Sequence, residues 1–334
     1  MTECDSNLPP PSKTDSGRSR IGVLDANRVV GPRVGRVLRA GAALAEVAVE
    51  ADPATLRGML ADDPILLGCD VTDIDIAVDW ATRRYPSMSV IAWTSGDMTP
   101  LLDAARASAR IVSLLGWPSS ASMPRPWELA MAARRVTDPD VASPRLGELF
   151  PWGSTVTRYR PRTSAVRDSV VAEVGVLAER AGGSTRVAQR VSEVAHELLM
   201  NAMYDAPVDA AGRSAYAHDR KQDVRLADHE VPTFRLAVDG LTLALQVVDP
   251  FGRLQREHVL DGIRRGRAAS SGEPALDTAN GGAGLGIYRI YAQSTVMIVD
   301  VDRGRYSSVI AFFDLEQTAR AARTLPVSLH LFVR

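Results

Sequence analysis

Between Ile21 and Val136, short apolar runs alternate with amphipathic helical segments, and such an alternation permits few folds. The pattern predicts strands at 21–24, 46–49, 65–67, 90–93 and 111–115, and helices at 31–44, 53–60, 76–84, 101–109 and 127–136. Each strand is a compact apolar run rather than an apolar/polar alternation. Its two faces must therefore both be covered, which implies a doubly wound parallel sheet in an α/β fold.

Length and charge bound the rest. The 334 residues, 46% apolar and 24% charged, suffice for two globular units with full cores. Lys and Arg number 39 against 40 Asp and Glu, a net charge of -1, so no global field draws the chain to nucleic acid or to an anionic membrane. The sequence has no apolar run of membrane-spanning length, and its polar, Pro/Ser-rich start lacks the apolar stretch of a signal peptide. A cytoplasmic protein is expected. Cys4 and Cys69, the only cysteines, fit a reducing compartment better than a disulfide framework. Residues 1–19, too poor in apolar side chains to bury, are expected to be a disordered tail.

Asp25, Thr94 and Ser95 fall at the ends of the first and fourth expected strands. Across 20–137 the chain thereby resembles a response-regulator receiver. That resemblance implies an acceptor Asp closing the third strand and a Lys following the fifth. Here Gly68 and Cys69 occupy the acceptor region, Asp70 is displaced, and Trp117 holds the Lys position. Without that cation, phosphoryl oxygens lose a charge-assisted contact. The expectation is a degenerate receiver-like domain used for docking or for forming a homodimer.

Repeated prolines make 138–162 a linker, followed by a connecting helix at 164–181 that Gly182 and Gly183 end. In the next helix, 185–204, Val187, Val191, Val194, Leu198 and Ala202 form a core stripe. Glu197 and Asn201, four residues apart, project from another line of the same helix. There a carboxylate can orient or deprotonate a nucleophile, while an amide oxygen ligates Mg²⁺ without neutralising it. A hairpin at 234–248 turns at Asp239-Gly240 and delivers Asp249 to its end, where a carboxylate can accept the exocyclic amino proton of adenine. After a helical stretch at 254–266, residues 267–280 read as a lid. Gly281, Gly282, Gly284 and Gly286 then run into an apolar helix at 285–292, whose free N–H groups suit phosphate. Strands at 295–301 and 307–313 follow, 207–232 reads as an insertion, and 317–334 as a C-terminal tail.

Glu197-x-x-x-Asn201, Asp249-Pro250-Phe251-Gly252 and Gly282-Ala283-Gly284-Leu285-Gly286 stand in one order, and over 184–316 the chain resembles the GHKL (Bergerat-fold) ATPases of gyrase, heat-shock chaperones, sensor histidine kinases and anti-sigma-factor kinases. The resemblance implies a Bergerat-type α/β sandwich that binds ATP and Mg²⁺. Glu197 would be the catalytic base, Asn201 the metal ligand, Asp249 and Gly252 the adenine box, and Gly282, Gly284, Leu285 and Gly286 the phosphate box. Phe251 and Arg253 depart from the glycines of the first box, and no cation accompanies Tyr204 and Asp205. A Glu at 197 leans toward the anti-sigma-kinase and ATPase branches. Two functions stay open: an ATPase or serine/threonine kinase acting on a partner protein, and a switch that binds ATP without turning it over. A histidine kinase would need a dimerising hairpin with an exposed His. His196 belongs instead to the nucleotide helix, and the helix at 164–181 has no His.

Overall fold

A computed structural model describes residues 19–118, 121, 123–138, 140–209, 212–270, 285–318 and 320–334. The protein is α/β. The parallel half alternates β1 (Ile21–Leu24), α1 (Val30–Gly41), β2 (Val47–Glu50), α2 (Pro53–Met59), β3 (Leu66–Asp70), α3 (Ile74–Asp79), β4 (Ser89–Thr94), α4 (Thr99–Ala107), β5 (Ile111–Gly116) and α5 (Pro126–Thr137). Then follow β6 (Thr155–Tyr159), α6 (Ser164–Arg180), α7 (Thr185–Met200), β7 (Thr233–Val238), β8 (Thr242–Asp249), α8 (Arg256–Ser270), α9 (Leu285–Gln293), β9 (Val296–Asp302), β10 (Tyr306–Asp314), α10 (Ala321–Thr324) and β11 (Ser328–Val333).

Among the described residues eleven strands form one sheet, in the order β2-β1-β3-β4-β5-β11-β9-β10-β8-β7-β6. The first five are parallel, in the doubly wound order that the apolar alternation requires. The last five, β9 to β6, are antiparallel neighbours, with β9–β10 and β7–β8 as hairpins. β11 stitches the two sets together, antiparallel to β5 and parallel to β9. Two expectations change here. The stretch 317–334, read as a tail, supplies the strand at the centre of the sheet, and the linker 138–162 supplies the edge strand β6 and a covering segment. Both strands are paired by residues far away in sequence, which local periodicity cannot signal.

The apolar cores follow the two faces of this sheet. On one, α3, α4, α6, α7, α8 and α9 bury Leu101, Val174, Val191, Leu198, Ile263 and Ile290 against strand residues such as Leu245, Val247 and Phe313. On the other, α1 and α5 cover the parallel strands, and Leu146, Leu149 and Phe150 of the expected linker cover Ala237, Ala244, Ile310 and Phe312. Phe150 stacks on Phe312 at 5.8 Å between ring centroids. Close helix crossings explain two glycines: a Cβ on Gly41 would meet the Ala130 carbonyl oxygen at 2.5 Å, and one on Gly266 would lie inside the Tyr288 side chain.

The seam between the two strand sets is polar as well as apolar. His330 of β11 is fully buried and bridges Ser113 Oγ of β5 at 3.0 Å and Glu128 Oε2 of α5 at 3.1 Å. Arg125 donates to Glu128 Oε1 at 2.7 Å. Burial alone would push the Glu128 carboxyl up, but His330 and Arg125 overcome it and hold the group below the usual range. A carboxylate with a depressed folded-state value stabilises the fold above its ordinary range, and the stabilisation is lost as pH falls through the folded value. Acid unfolding should therefore steepen below about pH 4.5, and Glu128→Gln should remove that limb from urea-denaturation midpoints measured across pH 3–7.

Candidate nucleotide site

Helix α7 is capped by Ser184, whose side chain accepts from Val187 N–H, and continues through Met200 into a wider π-type turn, Asn201–Asp205. Its apolar stripe packs on α6 and on the sheet, which turns Glu197 and Asn201 toward α9. Glu197 is 8% exposed. A Cβ placed on Gly286, in the first turn of α9, would stand 2.7 Å from Glu197 Oε2 and 3.7 Å from Asn201 Oδ1. Three of the sequence-derived residues, 89 positions apart at their widest, thus share one small volume, and any larger side chain at Gly286 would push on the carboxylate. Leu285 lies beside them at the start of α9, 44% exposed. Gly282 and Gly284 lie outside the described residues, as do 271–280 of the expected lid, whereas Arg267–Ser270 are the last turn of α8.

Asp249 closes β8, 7% exposed. Its Oδ1 accepts from Phe251 N–H at 2.9 Å, and Ser307 faces it on β10. Burial raises this carboxyl, partly offset by the Phe251 amide and Ser307. Gly252 adopts φ +61 and presses on the β9–β10 turn, where a Cβ would meet the Asp302 carbonyl oxygen at 2.3 Å. That contact alone demands a glycine, whatever else the residue does.

Two arginines flank the acid–amide pair, and neither is apparent from motif spacing. Arg289 Nη1 donates to Glu197 Oε1 at 2.7 Å. Arg220, from the segment read as an insertion, pairs with Asp205 and brings Nη2 to 3.5 Å from Asn201 Oδ1. The expectation that no cation accompanies Tyr204 and Asp205 is corrected: Arg220 meets Asp205, and Arg167 of α6 donates to the Tyr204 hydroxyl at 3.0 Å. The insertion reaches this site because it builds its own small core, with Val224, Leu226 and Val231 packed on Met200, Met203 and Tyr204. Glu197 and Arg289 also open onto a cleft of about 510 Å³ lined further by Val171, Ser192, Glu193 and His196.

Asn201 Oδ1 is an oxygen donor of the type magnesium takes, although Arg220 Nη2 stands 3.5 Å from it. Among the described residues no group of three or more His, Cys, Asp or Glu could hold a metal. Magnesium carried on a triphosphate would need no such cluster, since the amide oxygen of Asn201 could serve as its protein ligand.

In the parallel half, β3 runs to Asp70, beyond the expected 65–67, so Asp70 does end the strand and stands near Asp25. Asp25 is buried, with Oδ2 unpartnered, and its carboxyl is raised by burial and by the neighbouring Asp70 and Asp73. Thr94 closes β4 and accepts from Gly96 N–H at 3.0 Å, and Trp117 follows β5 where a Lys was sought. No described helix is long and apolar enough to cross a membrane.

No protein-family model matches the chain, and no curated protein matches it. Among solved structures it is similar to one from the SiaB–SiaC complex of Pseudomonas aeruginosa, at 14% identity and TM-score 0.30, over 48% of this chain and 88% of that one. A likeness this distant assigns neither family nor activity.

Proposed function

We propose that the C-terminal half binds Mg·ATP in the manner of the GHKL ATPases and passes the γ-phosphoryl group to a hydroxyl, on a partner protein or on water, as a signalling ATPase or serine/threonine kinase. The observation that carries the proposal is the meeting of Gly286 with both Glu197 and Asn201. A glycine-rich entry to a helix that abuts a carboxylate and an amide oxygen brings anion-binding N–H groups, a metal ligand and a base to one place. Asn201 would hold magnesium, which when bound neutralises charge on the triphosphate. Asp249 would accept the adenine amino proton at the far end. Glu197 takes the hydroxyl proton as the new O–P bond forms and the β,γ-bridging O–P bond breaks, ADP leaving with the electron pair.

A second reading, an ATP-dependent switch without turnover, is favoured by how α8 is bound to the parallel half. Arg256, 7% exposed, donates to the carbonyls of Ala105 at 2.9 Å and Ile111 at 2.7 Å. Arg106 pairs with Asp261 at 3.3 Å, and Arg267 reaches Asp97 and Thr99. The helix that leads into the expected lid is therefore tied to α4, a route by which nucleotide state could alter a docking surface. In both readings a protein partner and ATP are the ligands.

Calorimetric titration with ATP, ADP and GTP, with and without Mg²⁺, tests the nucleotide. ATP should bind with Mg²⁺, and GTP should bind more weakly by on the order of 10²-fold or more, since its carbonyl meets Asp249 acceptor to acceptor. Absence of binding at millimolar ATP would overturn the proposal. A phosphate-release assay with the same protein separates turnover from the switch.

A further inference from the structure

We propose that Arg289 is a latch on the Glu197 carboxylate that the γ-phosphate of an incoming nucleotide opens; the inference rests on the nucleotide reading above and extends it to regulation of the same site. The guanidinium stands 2.7 Å from Glu197 Oε1, so a carboxylate lone pair that a hydroxyl would need is directed at the arginine. The two side chains differ in mobility. The Glu197 side chain is nearly buried and wedged by Gly286, whereas the Arg289 side chain is 60% exposed on the wall of the open cleft and has room to turn.

Position makes the exchange direct. Arg289 lies one turn beyond Leu285 on α9, the helix whose start the phosphates would meet, and Glu197, with which it pairs, stands one helical turn before Asn201. A triphosphate held at Asn201 and at the start of α9 therefore ends beside the guanidinium. A phosphoryl group carries more charge than a carboxylate and offers the planar guanidinium a bidentate seat, while an arm this exposed loses little by leaving its ion pair. Arg289 then moves onto the γ-phosphate, and Glu197 is released to the hydroxyl that enters from the cleft. Without the triphosphate the base stays masked. ADP, lacking the γ-phosphate, leaves the latch closed.

Opposite signs in two variants test this. Calorimetry with ATP and ADP on the full chain, in Mg²⁺, should give Arg289→Gln an ATP affinity lowered by about 10-fold or more with ADP changed less than about 2-fold, as expected for losing a charge-assisted γ-phosphate contact. Glu197→Gln, which removes the competing carboxylate, should raise ATP affinity by about 3-fold or more and leave ADP unchanged. Arg289→Lys should fall between wild type and Arg289→Gln, and circular-dichroism melts check that each variant folds. A pair that serves packing alone would shift ATP and ADP equally in every variant, which overturns the latch while leaving the nucleotide reading intact. Wild-type protein that binds neither nucleotide overturns both.

Discussion

Asn201→Ala should abolish Mg²⁺-dependent ATP binding, whereas Glu197→Gln should keep binding and lower phosphoryl transfer or hydrolysis by about 10²–10⁴-fold, the usual contribution of a positioned base. The two effects would separate because the side chains, one on α7 and one four residues on in the π-type turn that continues it, would meet different parts of the ligand. Asn201 offers an amide oxygen, and without it the metal loses its protein ligand and the triphosphate much of its charge compensation. In the proposed arrangement Glu197 would contact neither adenine nor metal, and its glutamine isostere keeps the packing against Gly286 while losing the ability to take a proton. Arg220 sharpens the expectation at Asn201: with the amide gone, its guanidinium is still held by Asp205 and gives a metal no oxygen. Filter binding with radiolabelled ATP at controlled Mg²⁺, followed by single-turnover release of labelled phosphate, measures both. Equal turnover by wild type and Glu197→Gln would remove Glu197 from the chemistry.

Much of the frame was readable from residue patterns, and the exceptions have one physical origin. The alternation from Ile21 to Val136 specifies five strands and their helices because each depends on neighbours three or four residues away or on a compact apolar run. Glu197 and Asn201 were recognisable for the same reason, being fixed on one helix line. What stayed hidden depends on contacts between distant segments. β11 follows Leu325 and Pro326 as a short apolar run, and nothing local says that His330 will meet Ser113 across the middle of a sheet. β6 is mostly exposed and sits among prolines, so neither propensity nor burial marks it. Asp70 reads as displaced only because the third apolar run stops before Gly68, whereas pairing with β4 carries the strand onward to Asp70, opposite Trp93. Arg289 and Arg220 are two of 39 basic residues, and their meaning arises from where α9 and the insertion place them.

Arg135→Met should destabilise the protein by about 3–5 kcal/mol, the cost of leaving one partner of a buried ion pair alone. Arg135 of α5 and Asp300 of β9 meet at 2.6 Å with each side chain only 2% exposed. Burial pushes the Asp300 carboxyl up and opposes ionisation, so the pair is kept charged by the attraction of its members. The guanidinium also lies 5.5 Å from the centre of the Phe332 ring of β11 and donates to the Val141 carbonyl oxygen, which ties α5, the covering segment and two central strands together at one point. Removing the cation leaves Asp300 buried without its main counter-charge, with only the weaker influence of Arg334 remaining. Replacing both, as Arg135→Met with Asp300→Leu, fills the space without that penalty and should recover most of the loss, since apolar substitutes for buried pairs are often neutral or better. Because β5, β11 and β9 belong to one sheet, the single variant should lower the urea midpoint of both strand sets together, in one transition reported alike by Trp93 in the parallel half and by amide exchange in β8 and β10. Two separated transitions would mean that the halves fold independently and that β11 merely leans on β5, and an unchanged midpoint in Arg135→Met would mean that the pair does not hold the seam.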